Sequence, residues 1–175
     1  MHFLDNVRKK LAVLVFKAVG HGGPGRCAQT VTINCGSDEV DIFWRDPEKL
    51  SQVFGNVATV RSPESDVFVW MLSTGADETQ TWRTRLHSSD RELRFVADGA
   101  ERADSDRSKH TAVVVGYRPA PDDLGTEVTV EAATPFPDFI TNAVLFKVLY
   151  RARALLQTGE VPTLSHNPSA REGAH

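Results

Sequence analysis

The chain has 175 residues, 41% of them hydrophobic and 25% charged, with a formal net charge of −3. One domain is expected at this length, with a core large enough to fold without disulfides or metals. The charge balance excludes a global basic field for nucleic acid, and no run reaches the roughly 18 apolar residues that would span a bilayer. Cys27 and Cys35 are the two cysteines. As extended strand, the stretch between them covers roughly 26 Å, whereas a bridge tolerates about 7 Å. A disulfide framework is excluded, which fits a reducing cytoplasm.

In chain order, residues 3–19 carry Phe3, Leu4, Val7, Leu11, Leu14, Val15 and Ala18 on one helical stripe, with Arg8, Lys9, Lys10 and Lys17 mostly off it. The basic cluster followed by Leu11 to Phe16 imitates a signal peptide, but the apolar run is short for a region of about 7–15 residues and Lys17 ends it. Two readings stand: a helix packed on the domain, or a helix lying on an anionic membrane surface. His21-Gly22-Gly23-Pro24-Gly25 then forms a linker with neither helical nor strand character.

From Cys27 the period changes to two, with Val31 and Ile33 on one side of a first strand. Asp38 and Glu39 suit the first turn of a short helix that buries Val40, Phe43 and Trp44. Asp46-Pro47 restarts the chain as N-cap and N1 of a second short helix, with Leu50, Val53 and Phe54 inward and Gly55 as its stop. Strands follow over 57–61, 67–73, 79–87, 92–97, 111–117 and 126–133, separated by turn signals. Residues 98–109 lack apolar side chains and read as a loop. The longest helix comes last. Pro135 and Pro137 bracket its start with Asp138 as N-cap, Ile140, Val144, Val148, Ala152 and Leu155 share a face with Leu145, Leu149 and Leu156, and Gly159 ends it. The implied layout is an amphipathic helix over 1–20, a linker over 21–26, a folded domain over 27–160 and a disordered tail over 161–175.

The order strand, two short helices, about six strands, long helix predicts an α+β architecture. An antiparallel sheet must cover one face, and the terminal helix is the only element large enough to do so. A bent sheet around one helix leaves a gap between them, which is the candidate pocket.

These stretches resemble a known family. VTIN followed by EVDIFWRDPEKLSQVFGNVATV, then TWRTRL, ELRF, the hairpin YRPAPDDLGTEVTVE and the terminal LLQTGEVPT are similar to the START/Bet v 1-like (SRPBCC) superfamily, in its polyketide cyclase/dehydrase-like branch. The resemblance covers roughly residues 27–164. It implies a helix-grip fold: a curved antiparallel sheet of six to seven strands around a long C-terminal helix. It also implies a cavity for a lipid, polyketide or quinone-like molecule, and a few relatives catalyse cyclisation or dehydration. No catalytic residue carries over.

Strand parity names the side chains that face the gap: Phe68, Trp70 and Leu72; Trp82, Thr84 and Leu86; Leu93 and Phe95; Val113, Val115 and Tyr117; Val128 and Val130. A bulge in the fifth strand would instead turn Arg94 inward as a buried cation. Trp70, Trp82, Thr84, Leu86, Phe95, Tyr117, Val144 and Val148 are the expected ligand-binding set. The competing expectation is that they simply fill the core, with Tyr117 satisfied by a protein partner. Arg83, Arg85 and His87 fall on the outward face of the fourth strand, near Asp77, Glu78 and Asp90, as a mixed-charge surface. No zinc spacing, HExxH, GxSxG, P-loop or GxGxxG occurs, so no cofactor and no metal is expected.

The functional expectation is binding or carriage of a small hydrophobic ligand. One alternative is a cyclase/dehydrase-type enzyme, for which Tyr117 or an inward Arg94 offers the only acid or base. The other is a membrane-peripheral accessory protein anchored through residues 3–19. A cytoplasmic location is expected, with no nucleic-acid partner.

Overall fold

A computed structural model describes residues 27–73, 78–99, 111–134 and 140–162. The predicted helix at 3–19, the linker, most of the 98–109 loop and the tail beyond Pro162 lie outside the described residues.

Seven strands form one antiparallel sheet: β1 (Cys27–Ile33), β2 (Ala58–Glu64), β3 (Val67–Ser73), β4 (Thr79–Ser89), β5 (Glu92–Ala97), β6 (Ala112–Pro119) and β7 (Thr126–Ala133). Their order across the sheet is β1-β7-β6-β5-β4-β3-β2. From β2 to β7 each strand pairs with the next in sequence, whereas β1 lies at the far edge beside β7. The two short helices carry the chain across that width. They are α1 (Ser37–Arg45) and α2 (Pro47–Phe54), and α3 (Asn142–Thr158) follows the last strand. This is the helix-grip architecture expected from the sequence.

Local chemistry fixes the helix ends. The Asp46 side chain accepts from the backbone N–H groups of Glu48 at 2.8 Å and Lys49 at 3.3 Å, with Pro47 at the first helical position. Gly159 closes α3 in the left-handed conformation, φ 74°. The start of α3 corrects one expectation. Thr141, not Asp138, is the N-cap, with its Oγ1 accepting from the Val144 N–H at 3.3 Å. Thr141 is the first hydroxyl residue after the prolines in the sequence, and its extended backbone lets its side chain take the cap.

The core lies between the sheet and the three helices, and parity was a sound guide to it. Val31, Ile33, Phe68, Trp70, Leu72, Trp82, Leu93, Phe95, Val113, Val115, Val128 and Val130 are all buried. β5 has no inward Arg94: that side chain is exposed and donates to Glu92, while Leu93 and Phe95 face in. α3 buries Leu145, Val148, Leu149, Ala152 and Leu155. Its start is tied to β1, where the Cys27 thiol donates to the Ile140 carbonyl at 3.2 Å and the Gln29 amide to Asn142 Oδ1 at 3.4 Å. Its far end reaches α2, where Arg151 donates to the Val53 carbonyl at 3.2 Å. α3 therefore crosses from one edge strand towards the helix packed on the other edge. Gly55 permits that approach: it has φ 59°, and a Cβ there would collide with the Arg151 guanidinium.

Candidate ligand-binding site

β3 and β4 are direct neighbours, and their register sets Trp70 opposite Trp82 and Phe68 opposite Thr84. All four point inward from the pleat. Trp70 and Trp82 have ring centroids 6.0 Å apart at a tilt of 40°. Trp70 also meets Phe54 of α2 edge-on at 5.4 Å and Phe95 of β5 at 5.5 Å, and Phe95 meets Phe68 at 5.0 Å. This aromatic floor brings together four of the eight sequence-predicted residues: Trp70, Trp82, Thr84 and Phe95. Leu86 lies opposite Phe95 on β4 and is half-buried. Val148 is buried on the sheet-facing side of α3, and Val144, one turn earlier, is half-buried.

The two indoles differ in their polar atoms. Trp70 Nε1 donates to Thr84 Oγ1 at 2.9 Å, and the Thr84 hydroxyl donates onward to the Phe68 carbonyl at 3.4 Å. Thr84 is fully buried, and its hydroxyl is spent inside the sheet. Trp82 is 5% exposed, and its Nε1 has no hydrogen-bond partner among the described residues. Trp44 Nε1 on α1 and Arg151 Nε on α3 share that condition.

Tyr117 does not join the aromatic floor. It lies two residues beyond Val115, whose neighbour Leu93 pairs with Ser88, six residues past Trp82 on β4. That register separates Tyr117 from Trp82 by eight residues along the strands, or roughly 26 Å. Its phenol donates instead to Asp41 Oδ1 on α1 at 2.6 Å. Arg45 completes the cluster, its Nε donating to Asp41 Oδ2 at 2.6 Å and its second nitrogen to Oδ1 at 3.1 Å. The Arg45 guanidinium, seconded by the Tyr117 hydroxyl, holds the Asp41 carboxyl below its ordinary range. Burial and the adjacent carboxylate push the Tyr117 phenol up to about 12. A phenol so placed is a structural tie between β6 and α1 and a poor proton donor or acceptor at neutral pH. Asp41 and Arg45 were absent from the predicted set, although their i, i+4 spacing was visible.

Among the described residues, the buried polar side chains besides Tyr117 are Thr84, Thr111, Thr126 and Thr134, and no group of three His, Cys, Asp or Glu is placed to hold a metal ion. Arg83 and Arg85 lie on the outer face, where Arg83 pairs with Asp98 at 2.9 Å and Arg85 with Asp66 at 2.5 Å. That face is the mixed-charge surface expected, with Asp98 and Asp66 as the acidic partners. No helix among the described residues is long and apolar enough to cross a membrane.

Solved structures share this architecture. A Deinococcus radiodurans protein is 21% identical, covering 77% of this chain and 98% of its own, with a TM-score of 0.57. A Mycobacterium smegmatis protein is 15% identical over 78% of this chain and 94% of its own, TM-score 0.56. The Aha1 dimer from Colwellia psychrerythraea is 10% identical over 77% of this chain and 98% of its own, TM-score 0.55. At these identities the shared property is the fold. No family model matches the chain, and no curated protein does.

Proposed function

We propose that the domain holds a small, uncharged, apolar molecule between the sheet and α3, with an oxygen of that molecule accepting from Trp82 Nε1. The observation that carries this reading is the buried indole N–H with no hydrogen-bond partner among the described residues. Burying such a donor unsatisfied costs about 1–3 kcal/mol, and buried polar groups ordinarily find partners. Trp70 beside it, with the Phe95 and Phe54 rings packed on Trp70, offers the aromatic lining that small-molecule sites favour, with few polar groups to orient the guest.

Carriage is favoured over cyclisation or dehydration. Those reactions need a buried acid or base tuned near neutral pH, and Tyr117 is tied to Asp41 with its phenol pushed up to about 12. Membership of the START/Bet v 1-like superfamily belongs to the same proposal. It is supported by the helix-grip fold and makes a lipid, polyketide or quinone-like guest the class to try first.

The test is a titration with prodan, a neutral naphthalene ketone whose emission reports polarity and whose carbonyl can accept from an indole. Saturable binding with energy transfer from tryptophan is expected. Trp82→Phe keeps most of the apolar area and removes the N–H, so it should weaken binding about tenfold, in the range of one anchor contact. Absence of saturable binding to the wild type would remove the carrier reading. Equal affinity in Trp82→Phe would remove the role given to the N–H.

A further inference from the structure

Three buried side-chain atoms among the described residues have no hydrogen-bond partner: Trp44 Nε1, Trp82 Nε1 and Arg151 Nε. All three are N–H donors, and no buried side-chain oxygen among the described residues shares their condition. The unmet demand inside the domain is therefore for acceptors alone. A donor buried without a partner costs free energy, and a guest that brought donors of its own would meet no side-chain oxygen waiting for one. Two of the three atoms flank a single aromatic pair. Trp82 lies beside Trp70, and Trp70 meets Phe54 edge-on. Arg151 reaches the residues on either side of Phe54: it donates to the Val53 carbonyl at 3.2 Å, and its guanidinium sits against Gly55, where a Cβ would collide with it. The Val53 carbonyl belongs to the last turn of α2, whose dipole favours a cation there. The charge of Arg151 is thus partly offset by α2, and the need left at its Nε is for one acceptor.

We propose, resting on the carrier reading above, that Arg151 sets the specificity of the site. The guest carries an acceptor oxygen at each end and no hydrogen-bond donor. One oxygen takes the Trp82 N–H, the other takes the Arg151 Nε–H, and the apolar body between them lies along Trp70 and Phe54. Two aromatic contacts in succession span on the order of 10 Å, so the body is a rigid or extended one of that length. A neutral diketone, keto ester or diester has this pattern of oxygens. An alcohol or an amide brings a donor with no acceptor to receive it, and a carboxylate brings a full charge into an apolar site where desolvating it is costly.

Calorimetric titration of the full chain with 2-acetylnaphthalene and with 2,6-diacetylnaphthalene tests this, since the second compound differs by one acceptor at the far end of the same rigid body. The diketone should bind at least about tenfold more tightly, as one added hydrogen bond to a charged donor implies. Arg151→Lys keeps the charge and a donor for the Val53 carbonyl but has no nitrogen in the place of Nε. It should bring the two affinities together and leave that of the monoketone unchanged. Arg151→Met should do the same, and a folding defect in it leaves the lysine variant to decide. Trp82→Phe should weaken both ketones alike. Equal affinity of the two ketones for the wild type, or a preference that survives in Arg151→Lys, would overturn this inference while monoketone binding upholds the carrier reading. Tighter binding of 6-acetyl-2-naphthol or of 6-acetyl-2-naphthoate than of the diketone would also overturn it, marking a donor-bearing or an anionic guest. No saturable binding of either ketone would remove the carrier reading and this inference together.

Discussion

Replacing Tyr117 by Phe removes one atom and one hydrogen bond. The bond is short, 2.6 Å to an ionised carboxylate, and bonds to charged groups contribute about 1.5–3 kcal/mol. Two features lower the expected loss. Asp41 keeps its bidentate Arg45 partner, and its side chain is 27% exposed, so water can replace the phenol. The loss should therefore be about 1 kcal/mol, or about 3 °C in Tm, with the ring still filling its site. A double-mutant cycle with Asp41→Ala isolates the pair and should give a coupling of about 1 kcal/mol. The pH dependence adds a second readout. The Tyr117 phenol is raised from its ordinary 10.0 to about 12 in the folded chain, so its contribution is fully present below pH 10 and is lost as pH rises to 12. Tyr117→Phe should flatten that alkaline limb. Asp41 is shifted the other way, so its contribution holds above its ordinary 3.8 and is lost as pH falls through the depressed folded value. Urea melts across both limbs measure this. Additive mutants together with an unchanged alkaline limb would refute the tie between β6 and α1.

The grip of the sheet on α3 is checked by a pair of substitutions. Val148→Asp buries an unpaired carboxylate at a position 1% exposed and should abolish the cooperative thermal transition, while Lys147→Ala on the outer side should change stability by less than about 0.5 kcal/mol. Thr84→Val removes the acceptor of the Trp70 N–H and should cost about 1–3 kcal/mol by urea melt; a neutral result would mean that the Trp70–Thr84–Phe68 chain stabilises nothing.

The fold was legible because it follows from period. Alternation in 27–34 and 67–73, the Asp46-Pro47 cap and the Gly159 stop are local signals, and each matches its element. What resisted reading is non-local. Nothing near Cys27 says that β1 pairs with β7 rather than β2, since that choice depends on α1 and α2 spanning the whole sheet. Tyr117 read as inward, correctly, but its partner lies 76 residues away on another element. The α3 cap was misplaced because three strong punctuation residues, Pro135, Pro137 and Asp138, precede the weaker Thr141 that holds it.

The site shows the same division at finer grain. Parity placed Trp70 and Trp82 on one face and opposite each other, and the register agrees. Parity could not distinguish them, yet they are chemically unlike. Thr84 lies opposite Phe68, diagonal to Trp70, so its hydroxyl accepts from that indole and hands its own proton to the Phe68 carbonyl. Trp82 precedes Thr84 by two residues on the same strand and is left with its donor buried. A core selected only for packing has a simple remedy at position 82, because Phe keeps the aromatic area without the desolvated N–H. Trp at that position costs the ligand-free protein about 1–3 kcal/mol relative to a satisfied arrangement. Trp82→Phe should therefore leave the free protein as stable as before or more so, even as it weakens a carbonyl guest. A substitution that stabilises the empty protein and weakens the loaded one separates a binding residue from a core residue, because a core tryptophan would lose packing and stability together.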